Sequence, residues 1–570
     1  MKHAVTVLLL LLLFGKTNGQ SDVVHCTSGC GMVSSSSELA SQIGAGILHR
    51  GGNAVDASIA TAFALCVTLP AAGNIGGGGF MLYANTQGDR HAIDFRETAP
   101  AAAHAQMFLD SSGAEIDGLN DEGVLASGIP GTVAGLWLAH QRYGSIAWKE
   151  LIQPAIALAR EGITVTNLLH DESVRYAEEW RRHSSTARVM LHPDGSVMQA
   201  GEIWIQPELA ATLERIANHG RDGFYMGETA ERLSAFVQAQ GGIISTEDLA
   251  SYDAVERQPV VGSYREHEII SMPPPSSGGT ALIEMLNMLE PFDVNRLSYH
   301  GTAHIHLLRE VMNRAFLDRA AFLADTDFEN GGRINALQEK SHAELRMKSF
   351  HTDSISVSRS SDAQLLYEGG EHTTHFSVVD EWGTAVALTY TIENSYGCKV
   401  IADGLGFFLN NEMGDFNPQP GTTTEAGKIG TPPNTIEPGK RPLSSMTPTL
   451  VFFQGQPMLI TGAPGGRTII NTVLQVISNV IDFHMPIDEA VNAPRMHHQW
   501  LPDVIQFEKG CIHPRDQKRL RAMGYNLQET PLGFRMGAAN SILMLNDQAG
   551  VIGVSDVRGQ DGGVDETSKQ

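Results

Sequence analysis

Four short stretches in the second half of this 570-residue chain hold the residue types that acyl transfer requires. HTTHFSVVDEWGTAVALTYT (372–391) starts one alternating strand pattern at Thr373 and ends another at Thr391. Asp380, Glu381, Trp382 and Gly383 make the turn between them. If the strands pair, Thr391 falls opposite Thr373 to within one residue of register, with Cβ atoms roughly 4.5–5.5 Å apart. One hydroxyl then reaches the other, although threonine is also simply a good strand former. Downstream, LNNEMGDF (409–416) puts Glu412 and Asp415 where a buried strand would want apolar residues. KRPLSSMTPT (440–449) sets Ser444 and Ser445 just before a strand, and GAPGG (462–466) opens a helical segment. Consecutive glycine N–H groups at a helix start, here Gly465 and Gly466, suit an oxyanion. Singly these are a loop, a cap and a turn. Together they supply a hydroxyl nucleophile, an anion hole and paired carboxylates.

The elements that must position these groups divide along the chain. From Ser37 to Leu69 the pattern is helical, split at Gly51-Gly52, with Asn53 as the N-cap of the second segment. GNIGGGGF (73–80) lacks the Lys-Ser/Thr ending of a phosphate loop and opens no helix, so a close approach of two backbones is expected there. FMLYA and HAIDF read as strands, and Thr132 to about Tyr252 as mostly helical. SMPPPSSGG (271–279) reads as a rigid loop, followed by helix to about Leu323. The polar run from Asp325 to Gly370 is expected to be exposed and flexible. Strands then dominate at 376–379, 385–392, 448–453 and 457–461, interrupted by a helix near Thr468 to Phe483. Helices first and strands later fit an α+β layered domain whose sheets draw on both halves of the chain.

Composition narrows the partners. Residues 1–19 carry a basic start, an apolar run from Ala4 to Phe14 and small residues at Thr17 and Gly19, the pattern of an export signal. That run is shorter than the ~20 residues a membrane span needs, so no stable membrane span is expected. The formal charge of −24 excludes the basic face of a nucleic-acid binder. Cys26, Cys30, Cys66, Cys398 and Cys511 are too few and scattered for a disulfide framework. Cys26 and Cys30 could pair after export, while an odd total leaves at least one thiol unpaired in a monomer. The C-x3-C spacing is a weak metal signal, and no metal or cofactor is expected. DETSKQ at the end reads as a disordered tail.

The chemical stretches, together with FRETAP (95–100), GNIGGGGFML (73–82) and PRMHHQWLP (494–502), resemble the γ-glutamyltranspeptidase (glutathione hydrolase) family. Motif order and spacing match from about residue 30 to 560. The resemblance implies the N-terminal-nucleophile fold, a four-layer αββα sandwich with two central antiparallel sheets flanked by helices. It implies a precursor that cuts itself at His372–Thr373, giving a large chain (20–372) and a small catalytic chain (373–570) intertwined in one domain. It also implies a γ-glutamyl donor such as glutathione and an amino-acid or dipeptide acceptor. Thr373 would be the nucleophile, its hydroxyl oriented by Thr391, with Gly465 and Gly466 as the oxyanion hole. Arg96, Ser444 and Ser445 would hold the donor's α-carboxylate, and Glu412 and Asp415 its α-ammonium. The cut has a physical rationale. A threonine hydroxyl needs a base within reach, and a new α-amino group, with an unperturbed pKa of roughly 7.7–8, is one.

This chain departs from the family's common pattern at two places. Glu393 stands where many members have Asn two residues after the second Thr, with Asn394 following. Glu393 either adds a third carboxylate near the ammonium or turns away while Asn394 contributes. The segment 417–439 is long enough to be the family's lid, but its often aromatic position is taken by Ala426. Such a lid would shield an acyl-enzyme less, so hydrolysis is expected to matter at least as much as transfer. The alternatives are an acylase of the cephalosporin or glutaryl amide type, a poly-γ-glutamate enzyme, and an uncleaved homologue with a binding role.

Overall fold

The structure, a computed structural model, describes residues 22–27, 29–329, 331–362, 373–531, 534, 536–545, 550–559 and 561–567. The expected signal segment and His372 lie outside these residues. Among the described residues no helix is long and apolar enough to cross a membrane.

Two seven-stranded sheets form the centre. The first runs Gly563–Glu566, Met32–Ser35, Thr373–Val379, Ala385–Thr391, Gly78–Ala84, Arg90–Phe95 and Val255–Arg257. The second runs Asp22–Cys26, Val551–Ser555, Asn540–Met544, Gln456–Thr461, Thr449–Phe453, His267–Ser271 and Val260–Tyr264. Neighbouring strands whose register is recorded are antiparallel throughout both sheets. Successive side chains of a strand point to opposite faces, and the hairpin shows what each face meets. Val386, Leu388 and Tyr390 join a core with helices Glu38–His49, Ala54–Thr68 and Trp148–Glu161. Ala385 and Ala387 join the other core, which holds the second sheet and helices Gly278–Leu289, Thr302–Phe322 and Thr468–Ile481. Thr373 and Thr391 share the parity of this second set and so face the space between the sheets. The layering is helix, sheet, sheet, helix.

Local sequence explains the frame. Asn53 caps Ala54–Thr68 by accepting from the Val55 and Asp56 N–H groups, while Asp56 accepts from Asn53 N–H. The glycine run is a packing device. A Cβ at Gly77 would sit 1.9 Å from the Thr391 carbonyl oxygen, and one at Gly79 2.4 Å from that of Thr389. Cys26 and Cys30 are joined in a disulfide, and Cys66, Cys398 and Cys511 are buried thiols.

Three expectations need correction. The run from Asp325 to Gly370 contains helices Gly331–Leu337 and Lys340–Met347, the second anchored by His342 to Asp318 at 2.9 Å. The tail is not wholly disordered, because Asp565 and Glu566 belong to an edge strand that pairs with Met32–Ser35. Strands at Asp22–Cys26, Met32–Ser35, Val255–Ser271 and Asn540–Ser555 went unread. They are short pieces: DVVHC and MVSS pair with distant chain, whereas VVGSY and HEIIS form a local hairpin across Arg265-Glu266.

Candidate active site

The hairpin pairs Thr373 directly with Thr391, and Thr391 in turn with Gly78 on the next strand. Thr373 Oγ1 donates to Thr391 Oγ1 at 3.5 Å, a long contact. Thr391 Oγ1 accepts the Glu393 N–H at 2.8 Å. Glu393 makes this possible by adopting φ +74, a left-handed conformation rarely taken by a non-glycine residue. The backbone after the second threonine therefore curls back to hold its hydroxyl oxygen.

Across the sheets, Gly465 and Gly466 have φ of +126 and +54 and precede the helix Thr468–Ile481. Their carbonyls accept from Thr468 and Ile469 N–H at 3.0 and 3.1 Å. Neither glycine N–H has an acceptor among the described residues. Thr373 borders two cavities. One, with about 40 Å³ of free space, is lined by Arg96, Thr391, Glu393, Glu412, Asp415, Ser444, Ser445 and Gly466. The other, of about 630 Å³, has Gly465, Arg175, Tyr176 and Arg558 in its wall.

The small cavity has chemically distinct ends. At one, Arg96 is buried and lies 2.5 Å from Glu412 Oε2, within an ion pair of Asp415, and 3.4 Å from Glu97 Oε2. Burial opposes the Arg96 charge, but Glu412, Asp415 and Glu97 outweigh it and raise the guanidinium. Burial pushes Glu97 up to about 7 and raises Glu393 and Glu412 well above the usual carboxylate range. Glu97 Oε1 and Glu412 Oε1 are buried with no hydrogen-bond partner among the described residues. Asn411 Nδ2 donates to Glu393. At the other end, Ser444 Oγ accepts the Met446 N–H at 3.1 Å and Ser445 Oγ accepts Arg319 Nη2 at 2.9 Å. Each serine keeps its own O–H to give. Asn434, from the 417–439 segment, brackets the two ends. Its Nδ2 donates to the Asp415 carbonyl at 2.6 Å, and its Oδ1 accepts Leu443 N–H at 3.0 Å.

The residues singled out in the sequence converge here, except His372, which is not described. Gly465 sits just across Thr373 in the larger cavity. Two details differ from expectation. Arg96 is paired with the same carboxylates that were expected to hold a group of opposite charge to its own ligand. Ala426 is exposed and lines neither cavity, where Ile429, Thr431 and Asn434 provide the cover. Glu393, left open between two roles, lines the cavity; Asn394 instead gives its N–H to Asn411 Oδ1 at 3.0 Å. Sequence reasoning missed Glu97, Arg319 and Asn434. Glu97 was visible inside FRETAP, whereas Arg319 looked like one charge on a long helix.

Known proteins share this fold. The Gamma-glutamyltranspeptidase family pattern matches residues 40–565. The chain is 42% identical over 549 residues to a glutathione hydrolase proenzyme of Escherichia coli K12, covering 95% of this chain and 93% of that one. It superposes on a cephalosporin acylase from Bacillus halodurans with a TM-score of 0.83 at 25% identity, over 99% and 100% of the two chains. It also matches a gamma-glutamyltranspeptidase chain of Helicobacter pylori at 42% identity and a TM-score of 0.55, over 56% of this chain and 91% of that one. These likenesses, with the two central sheets, identify an N-terminal-nucleophile hydrolase architecture, and the chain belongs to the gamma-glutamyltranspeptidase family.

Proposed function

We propose that this protein is an exported, self-processing γ-glutamyl hydrolase and transferase that acts on glutathione and related γ-glutamyl amides. The observation that carries this reading is the position of Thr373. It starts a strand, faces the space between the sheets, and borders both the carboxylate-and-serine cavity and the glycine turn.

Cleavage of the His372–Thr373 bond leaves residues 20–372 and 373–570 as the two subunits and frees the Thr373 α-amino group. That amine takes the proton of the Thr373 hydroxyl as it attacks the γ-carbonyl of the donor. Gly465 and Gly466 N–H groups stabilise the tetrahedral oxyanion. The same proton passes to the leaving amine, here the cysteinyl-glycine portion of glutathione. Water, or the amine of an amino acid or dipeptide, then resolves the ester. Arg96, Ser444 and Ser445 hold the α-carboxylate, while Glu393, Glu412 and Asp415 hold the α-ammonium. The orphaned oxygen of Glu412 supports an ammonium ligand, since a buried carboxylate oxygen without a donor is costly. A glutaryl group has no ammonium to offer, which weighs against the acylase alternative. The export part of the reading rests on residues 1–19 alone.

The test begins with mass. Purified protein should run as two chains, the smaller beginning Thr-Thr-His-Phe, and should turn over a γ-glutamyl anilide in preference to a glutaryl anilide. Thr373→Ala should remain one chain and be inactive. Normal processing in that variant, or a glutaryl preference in the wild type, would overturn the reading.

A further inference from the structure

Arg319, in the wall of the small cavity, is placed against hydroxyls, whereas Arg96 is placed against acids. It lies near the end of the buried helix Thr302–Phe322. Its Nε donates to Ser277 Oγ at 2.8 Å and its Nη2 to Ser445 Oγ at 2.9 Å. Other buried arginines behave differently. Arg96, Arg309, Arg314, Arg441 and Arg495 each lie within 4 Å of a carboxylate. Among the described residues, Arg319 has no such partner. Burial, and then Arg467 nearby, push its guanidinium down to about 9, so it is charged at neutral pH but poorly compensated. A buried charge of this kind is stabilised by an anion brought to it.

Ser277 explains the proline-rich loop that the chemistry had left unused. Its N–H and Oγ both donate to the Ser444 carbonyl, at 2.7 and 2.6 Å, and Ser276 Oγ donates to the Met446 carbonyl at 2.6 Å. SMPPPSSGG thus braces the Ser444–Met446 turn, and Arg319 ties brace to turn through two serine oxygens. Since Ser445 Oγ accepts from Arg319, the Ser445 hydrogen is directed elsewhere. No described residue accepts it, and Ser445 lines the cavity beside Thr373.

We propose that Arg319 is a positioning and specificity residue for the donor's α-carboxylate: it orients the Ser445 hydroxyl as a donor into the cavity and supplies positive charge that Arg96, already paired with carboxylates, cannot supply alone. The ligand group is a carboxylate on the carbon that also carries the ammonium. The inference rests on the γ-glutamyl reading above.

Steady-state kinetics with two donors tests it. One is γ-glutamyl anilide. The other is 4-aminobutanoyl anilide, which lacks only the α-carboxylate. Arg319→Gln should raise KM for γ-glutamyl anilide roughly ten- to hundredfold, the range for one hydrogen bond to a charged group. The kcat should change by less than about threefold and the 4-aminobutanoyl donor should be little affected, so discrimination collapses. Arg319→Lys keeps the charge and one donor and should recover part of the loss. On a Ser445→Ala background the effect of Arg319→Lys should shrink, because the two act through one hydrogen bond. If neither Arg319 variant yields processed enzyme, Ser277→Ala, which removes the Nε acceptor and leaves the charge, must show the same selective rise in KM. Equal losses on both donors, or undiminished discrimination, would sink the proposal. Wild-type enzyme without preference for γ-glutamyl anilide would instead sink the functional reading on which it stands.

Discussion

The two ends of the small cavity solve opposite problems. At the acidic end, Arg96 sits among Glu97, Glu412 and Asp415, while Glu97 and Glu412 each keep a buried oxygen without a partner among the described residues. At the hydroxyl end, Ser444 and Ser445 already accept from the protein and hold their own hydrogens in reserve. On the proposed reading, a zwitterionic head meets one end that exchanges partners and one that is set in advance. A carboxylate reaching Arg96 competes with the carboxylates already paired to it. Preorganisation at one end anchors the ligand while the other rearranges.

The largest test of this contrast is Asp415→Asn. The substitution keeps the shape but removes a charge from the end that rearranges. The kcat/KM for γ-glutamyl anilide should fall roughly a hundredfold, within the range for breaking a desolvated charge pair. Activity on glutaryl anilide, which brings no ammonium, should fall less than about tenfold. Equal losses would make Asp415 a holder of Arg96 rather than a ligand for the substrate. A smaller effect is expected from Asn434→Ala. Each of the two hydrogen bonds it loses contributes about 1 kcal/mol, and each braces a different end. Its KM should rise about tenfold for both anilides alike, since the bracket does not distinguish charge. A donor-selective change would place Asn434 within one end instead of between them.

How much of this was readable from residues alone follows from the range of the interactions. The hairpin was legible because its period, its acidic turn and its two threonines lie within twenty residues. Asn53 as a cap and Gly76 to Gly79 as a close-packed run were also local signals. The glycines illustrate the limit, since Gly77 and Gly465 look alike in sequence. One is glycine because a carbonyl lies where a Cβ would be, the other because its φ is +126. Strand Met32–Ser35 was missed because its stability comes from partners about 340 residues away or more. Arg319 escaped for the same reason, as its role appears only when Ser445 is folded against it. Ala426 is exposed, a placement that counting along a loop does not reveal.

The subtlest difference between the two ends should appear as proton linkage. Burial raises Glu97 to about 7 in the folded protein, against roughly 4.3 in an unfolded chain. Between those values the folded state holds a proton that the unfolded state has released. Stability contributed through Glu97 therefore falls as pH rises from about 4.5 to 7, by at most about 1.4 kcal/mol per unit. Glu97→Gln removes that slope. The melting temperature of the variant minus that of the wild type should climb over this window, by about a degree or two per unit, and then level off. Ser444→Ala, at the end without carboxylates, should give a difference that does not vary with pH. A flat profile for Glu97→Gln would mean that Glu97 is ionised throughout. The acidic end would then carry a full extra negative charge, and an arriving ammonium would find its site already charged instead of having to drive off a proton.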